Sequence, residues 1–176
     1  MKPAAVFLDR DGVLNRALVV NRRPGAPLTL EEFEVLPVRP ELERLRAAGY
    51  ALVVVTNQPD VARGRVTRET IEAMHADLAA ALPLDEIRVC YHDKADGCTC
   101  RKPAPGMLLT PPIYDVARSV MVGDRWRDVE AGKRAGCCAT ILLDYAYDEP
   151  LPHEPDVRVA SLAEAVDWIL SNLCRA

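Results

Sequence analysis

Ala4-Ala5-Val6-Phe7-Leu8-Asp9-Arg10-Asp11-Gly12-Val13-Leu14-Asn15 is the stretch that decides the fold. Its apolar residues run without interruption into two acids, lacking the polar alternation of a half-exposed strand, so the run reads as a strand buried on both faces. Residues two apart in a strand share a face, and Asp9 and Asp11 can therefore approach one reacting centre as the chain turns at Gly12. Paired carboxylates repel one another. A hard cation such as Mg2+, or a lysine beside them, would keep both useful near neutral pH. A plain acidic turn after a strand has the same pattern, so the remaining sequence has to decide between them.

Three further runs end the same way. Ala51 to Val55 precede Thr56-Asn57-Gln58, Ile87 to Val89 precede Cys90, and Ser119 to Val122 precede Gly123-Asp124. Buried parallel strands look like this, and open α/β sheets place ligands at the carboxyl ends of their strands. Helices fall between the runs. Pro40 at the first position and Gly49 just past the end frame a helix over 40–48. Thr67 caps a second helix to about Ala81, with Ile71, Met74, Leu78 and Leu82 at helical spacing. A third covers 126–135, stopped by Gly136 and followed by a strand over 139–143. Ser161 and Glu164 form a capping box for a last helix ending near Leu173. No repeat or linker interrupts this order, which predicts one doubly wound α/β domain over 1–176. Arg16 to Glu34 breaks the rhythm with Pro24, Gly25 and Pro27 and few apolar repeats. It reads as a loop beside the first acidic motif, either contacting substrate or making a solvated excursion.

Composition sets outer limits. A chain of 176 residues buries a core without disulfide staples. A net charge of −4 and the lack of a basic run argue against a nucleic-acid surface. No segment resembles a signal peptide or a membrane span, so a cytoplasmic protein without membrane partners is expected, and nothing opposes a monomer.

Cys90-Tyr91-His92, five residues, then Cys98-Thr99-Cys100 supply three thiolates and one imidazole, a complete tetrahedral set for Zn2+. Disulfides compete as an explanation, but a cytosolic context and the placement of His92 disfavour them. Four protein ligands leave no open position, which makes the role of such an ion structural. It would pin the Arg101-Lys102 that follows, where Lys102 could neutralise a phosphoryl group and Arg101 could grip a substrate oxygen. Cys137 and Cys138, opening a buried strand, and Cys174 in the tail read as packing residues or free thiols.

Asp9-x-Asp11-Gly12-Val13-Leu14-Asn15, Thr56-Asn57-Gln58, Cys90-x-His92 with Cys98-x-Cys100-Arg101-Lys102-Pro103, and Gly123-Asp124, in that order, resemble the haloacid dehalogenase superfamily of phosphatases. The match is to the nearly capless, zinc-loop branch that holds the heptose-bisphosphate and histidinol-phosphate phosphatases, and it covers residues 4 to 144. The resemblance implies a Rossmann-like parallel sheet, catalytic Mg2+ and an aspartyl-phosphate intermediate. Asp9 is implied as nucleophile and Asp11 as general acid and then base. Asp9, Asp11 through its main-chain carbonyl, and Asp124 are implied as the Mg2+ site, with Asp128 holding a metal-bound water. Thr56 and Asn57 would donate to phosphoryl oxygens and Lys102 would offset their charge. Gln58, Arg101 and Arg125 are expected on the substrate side. His75 and His153 match no motif and are expected as surface or core histidines, and Trp126 as a packing residue at its helix start.

The substrate expectation is a small sugar phosphate, foremost D-glycero-D-manno-heptose 1,7-bisphosphate. Gln58-Pro-Asp-Val-Ala-Arg-Gly-Arg65, Arg101 and Pro105-Gly106-Met107 resemble the heptose group. The short zinc loop is instead like that of the histidinol-phosphate enzymes, and where the heptose group carries a sugar-contacting element after the first motif this chain displays Arg22 and Arg23. A zinc-stabilised binding protein without turnover is the alternative of another class. It would be expected to have lost one of Asp9, Asp11, Lys102 or Asp124, and all four are present. Thr110-Pro111-Pro112 predicts a shortened or irregular connection before the strand that ends in Gly123.

Overall fold

The computed structural model describes residues 2–173. In chain order the strands are β1 (Ala5–Leu8), β2 (Leu18–Val20), β3 (Arg23–Gly25), β4 (Ala51–Asn57), β5 (Glu86–Cys90), β6 (Val120–Gly123), β7 (Ala139–Leu143) and β8 (Val157–Val159). The helices are α1 (Arg39–Ala47), α2 (Arg68–Ala81), α3 (Gly106–Leu109), α4 (Trp126–Ala135) and α5 (Leu162–Asn172). Six strands form one parallel sheet in the order β5-β4-β1-β6-β7-β8. The chain thus builds outward from β1 in one direction and then in the other, and the reversal of order falls between β1 and β6.

Both faces of the sheet are covered, which is why its strands need no polar alternation. Val6, Leu8, Leu52, Val54, Val122 and Ile141 pack under α1 and α5, with Leu78 of α2 beside them. The residues between them, Phe7, Val53, Val55 and Met121, pack under Met107 and Leu108 of α3 and Ala131 of α4. Thr67 caps α2 as the sequence predicts, its Oγ1 accepting the Thr70 N–H at 3.1 Å. Gly136 ends α4 at φ +84°. Ser161 caps α5, while Glu164 reaches back to the N–H of Ala160 rather than to that of Ser161, so the box closes one residue early. α1 starts at Arg39, placing Pro40 second; its missing N–H still falls in the first turn, where no partner is needed.

The segment from Arg16 to Glu34, expected as a loop, contains an antiparallel hairpin. β2 pairs with β3 around Asn21-Arg22, both at positive φ (50° and 61°), the two-residue turn that matches strand twist. Its strands are short and largely exposed, so no buried periodicity announces them. β8 escapes sequence reading because it is only three residues long, too short for the alternation of Val157 and Val159 about Arg158 to stand out. Beyond Thr110 the chain is irregular until a single 3-10 turn at Val116–Arg118, the interrupted connection that the prolines predict. Cys137 and Cys138 precede β7 instead of opening it, and Cys138 is exposed because the turn after Gly136 faces solvent. Cys174 lies outside the described residues. Among the described residues, no helix is long and apolar enough to cross a membrane.

Candidate active site

β1 delivers Asp9 to the carboxyl edge of the sheet at the point where strand order reverses, and the Asp9 N–H continues the ladder to Val122 O at 2.9 Å. Gly12 then turns the chain at φ +83°, and a Cβ there would lie 2.1 Å from Asp124 Oδ2. Glycine is required twice over, by the backbone and by the closeness of the acid.

Lys102 is 1% exposed among acids. Its Nζ lies 2.9 Å from Asp9 Oδ1, 2.6 Å from Asp128 Oδ1 and 2.7 Å from Val55 O, one acceptor for each ammonium proton. Burial pushes its pKa down, but Asp128 and Asp9 outweigh burial and hold it above the usual lysine range. The Arg10 N–H donates to the same Asp9 oxygen at 2.7 Å. Both donors fall on Oδ1, so Oδ2 is the oxygen of Asp9 left for other chemistry.

Asp128 sits in the first turn of α4, where its Oδ2 accepts the Arg125 N–H at 2.9 Å. Gly123 allows that approach, since a Cβ there would meet Asp128 at 2.3 Å. Asp124 accepts the Tyr147 hydroxyl on Oδ2 at 3.0 Å, while its buried Oδ1 has no hydrogen-bond partner among the described residues. Asp9, Asp124 and Asp128 each offer an oxygen within 4.8 Å of the others. Desolvation and mutual repulsion raise Asp9 to about 6 and Asp124 well above the usual carboxylate range. Set against one lysine, these carboxylates leave a buried excess of negative charge. An all-oxygen donor set with an orphaned oxygen fits a small, hard divalent cation, so Asp9, Asp124 and Asp128 are the side chains that could hold Mg2+.

The carboxylate of Asp11 lies outside that cluster, and Asp128, to which the sequence assigned only a metal-bound water, lies inside it. Arg10 Nη2 (2.9 Å), Arg10 Nε (3.2 Å), Asn15 Nδ2 (3.0 Å) and Gln58 Nε2 (2.9 Å) all donate to Asp11. Arg10 is itself fully buried, and its Nη1 lies 3.1 Å from His75 Nε2 on α2. His75 is therefore a core histidine with a defined partner. Burial and that guanidinium push its pKa down to about 4. His153 is exposed and pairs with Glu130.

Thr56 is fully buried and accepts from Gln58 Nε2 at 2.9 Å. Gln58, expected on the substrate side, is 1% exposed, because its side chain folds back onto Thr56 and Asp11 instead of facing the cavity. Asn57 makes a reciprocal pair with the backbone of Lys102, at 3.0 Å in each direction, which ties the lysine loop to the end of β4. A cavity of about 330 Å3 opens over the acids and is bordered by Asp9, Asp11, Asn57, Lys102 and Asp124, with Arg63, Arg65, Arg101, Arg125 and Arg127 on its walls. Arg101 also donates to His92 O at 3.2 Å and Arg125 pairs with Glu149. Arg22 and Arg23 do not border this cavity: the hairpin turn directs Arg22 to Ala146 O and Arg23 to Asp148. The acid-site residues that sequence reading passed over are Arg10, Arg127 and Tyr147. Arg10 and Arg127 each stand next to or three beyond a motif acid, but no spacing rule marks Tyr147.

Cys90, His92, Cys98 and Cys100 converge at the end of β5. The sulfurs of Cys90 and Cys100 lie 3.1 to 3.7 Å from each other and from the sulfur of Cys98 and Nδ1 of His92, and all four donor atoms fall within 4.8 Å of one another. A tetrahedron with Zn–S bonds of about 2.3 Å has edges of roughly 3.8 Å, so these side chains could hold Zn2+ with little movement. The loop docks on α3 through Gly106, whose N–H donates to Thr99 O at 3.0 Å where a Cβ would be 2.3 Å from that oxygen.

Comparison with known proteins agrees with this geometry. A family model described as HAD-hydrolase-like matches residues 99–165. The chain is 34% identical over 185 residues to the D-glycero-beta-D-manno-heptose-1,7-bisphosphate 7-phosphatase of Escherichia coli (strain K12), covering 96% of this chain and 89% of that one. It is 32% identical over 199 residues to the D-glycero-D-manno-heptose-1,7-bisphosphate 7-phosphatase of Thermosynechococcus vestitus, covering 98% of both. Among solved structures, the D,D-heptose 1,7-bisphosphate phosphatase of B. bronchiseptica, complexed with magnesium and phosphate, superposes with a TM-score of 0.76 at 30% identity, over 96% of this chain and 98% of that one. The chain belongs to the haloacid dehalogenase-like phosphatases, in the family of the D-glycero-D-manno-heptose-1,7-bisphosphate 7-phosphatases.

Proposed function

We propose that this chain removes the 7-phosphate of D-glycero-D-manno-heptose 1,7-bisphosphate, with Asp9 as nucleophile and Asp11 as acid and then base. The observation that carries the reading is the buried Lys102 ammonium, shared between Asp9 Oδ1 and Asp128 beneath an arginine-walled cavity. With Oδ1 held by Lys102 and the Arg10 N–H, Oδ2 of Asp9 attacks phosphorus and the bond to the sugar oxygen breaks. Asp11 gives its proton to that departing oxygen. Asp11, now a carboxylate, takes a proton from water as the water oxygen attacks the phosphorus of aspartyl-phosphate, releasing phosphate and restoring Asp9. Gln58, Asn15 and Arg10 keep Asp11 in place throughout. Mg2+ held by Asp9, Asp124 and Asp128 would supply charge neutralisation for the transferring phosphoryl group. Positioning and electrostatics are most of what phosphoryl transfer requires of a protein.

A bisphosphate presents two dianions. Lys102 serves the transferred one, and the arginines on the cavity wall match the one that stays, a demand that a simple monoester does not make. Zn2+ on Cys90, His92, Cys98 and Cys100 would keep Arg101 and Lys102 in place without taking part in the chemistry. The test is phosphate release from α- and β-heptose 1,7-bisphosphate, histidinol phosphate and hexose monophosphates, with Mg2+ and with EDTA. Mg2+-dependent turnover of one heptose anomer at a kcat/KM at least about a hundredfold above the monoesters is expected, and preference for histidinol phosphate would overturn the substrate assignment.

A further inference from the structure

Six residues after β7, Asp144 to Glu149, form a strap across the acid site that the chemistry above does not use. Tyr145 donates its hydroxyl to Gly12 O at 3.0 Å, and Tyr147 donates its own to Asp124 Oδ2 at 3.0 Å. The two rings lie 5.7 Å apart. Glu149 pairs with Arg125 on the cavity wall. Every one of these contacts lands on a residue of the site, not on neutral framework.

The strap is latched from the other side. Its bend at Ala146 has φ +53°, which costs a non-glycine residue free energy unless something holds it. Arg22, at the tip of the β2–β3 hairpin, supplies the hold: Nε and Nη2 donate to Ala146 O at 2.9 and 2.7 Å, and the Asp148 N–H returns a bond to Arg22 O at 2.9 Å. Arg22 is itself at φ +61°, so two strained bends interlock.

A carboxylate on a rotatable bond presents either oxygen. The bond from Tyr147 occupies Oδ2 of Asp124 and leaves Oδ1 buried and without a partner among the described residues. A phenol is protonated near neutral pH, so the Tyr147 hydroxyl is the donor of this bond. Outer partners of this kind orient metal ligands, and losing one typically weakens metal binding about 10- to 100-fold.

From this geometry we propose that Tyr147 is a positioning residue for the divalent cation: it fixes the carboxylate of Asp124 with one oxygen presented to the ion, on a strap that Arg22 latches. The proposal rests on the reading of Asp9, Asp124 and Asp128 as the cation site. The test uses the zinc-loaded protein freed of magnesium, titrated with Mn2+ alone and followed by electron paramagnetic resonance, for the wild type, Tyr147→Phe and Arg22→Ala. Tyr147→Phe keeps the ring and should weaken Mn2+ binding about tenfold or more. The Mg2+ concentration for half-maximal phosphate release should rise by a similar factor. Arg22→Ala, at a residue that does not border the cavity and bonds to Ala146 and Asp148, should shift both readings the same way by a smaller factor, and it keeps the test alive if Tyr147→Phe does not fold. Mn2+ affinity within twofold of wild type in the variants would overturn the role of the strap alone. A wild-type protein that takes up no Mn2+ would overturn the cation site itself.

Discussion

Among the described residues, Lys102 is the one positive side chain in direct contact with Asp9 and Asp128, and its worth should show when its charge is removed at nearly constant shape. Lys102→Met is expected to lower kcat by at least about 10² to 10³, the usual effect of deleting one preorganised donor, in a phosphate-release assay at saturating Mg2+. His75 gives a prediction of another kind. Its folded pKa of about 4 lies below the roughly 6.5 of an unfolded histidine, so below pH 6.5 the unfolded chain binds a proton that the native protein refuses. Its contribution is therefore complete above pH 6.5 and is lost as pH falls toward 4, amounting to about 2 kcal/mol at pH 5. His75→Gln keeps an acceptor for Arg10 and removes the titration. Urea denaturation at pH 7.5 and pH 5 should show the wild type losing about 2 kcal/mol more than the variant; equal losses would refute the assignment. At this scale the sequence displayed Asp9 and Asp124 because each ends an apolar run, and the candidate zinc ligands with Lys102 through the spacing of Cys90, His92, Cys98 and Cys100. The directions of Asp11 and Gln58 were not legible, since they depend on the backbone path after a strand ends. Asp9 and Asp11, which would share a face in a continued strand, part because β1 ends at Leu8 and the chain bends at Arg10 between them.

The element that holds Lys102 in place is the cysteine-rich loop between β5 and α3, where the proposed Zn2+ would sit. Asn57 ties its end to β4, and Gly106 seats its middle against α3. The wild type is expected to hold one zinc per chain by elemental analysis, and Cys98→Ser should lose it, lower the melting temperature and reduce kcat at least about tenfold as Lys102 loses its anchor. Full zinc retention in that variant would contradict the ligand set. Central strands and long helices were legible from periodicity and caps, as Thr67 and Gly136 illustrate. The β2–β3 hairpin and β8 were not. Strands of three residues are too short to show a burial pattern, and a turn made of Asn21-Arg22 lacks the glycine that usually marks it.

For the whole molecule, the strand order explains why residues as far apart in sequence as Asp9, Thr56, Lys102 and Asp124 meet. β1 sits between β4 and β6, so the loops after β1, β4 and β6 open onto one point at the reversal of strand order. The doubly wound class followed from the apolar runs, whereas the strap from Asp144 to Glu149 belongs to a tertiary arrangement that no local pattern encodes. The proposed chemistry depends first on Asp9 as the nucleophile. Rapid mixing of the Mg2+-loaded enzyme with heptose 1,7-bisphosphate labelled with 32P at position 7, followed by acid quench and peptide mapping, tests this directly. An acid-stable, hydroxylamine-labile label is expected on the peptide containing Asp9, formed no more slowly than kcat and missing in Asp9→Asn. Turnover without a labelled peptide, or a label on any other residue, would contradict it.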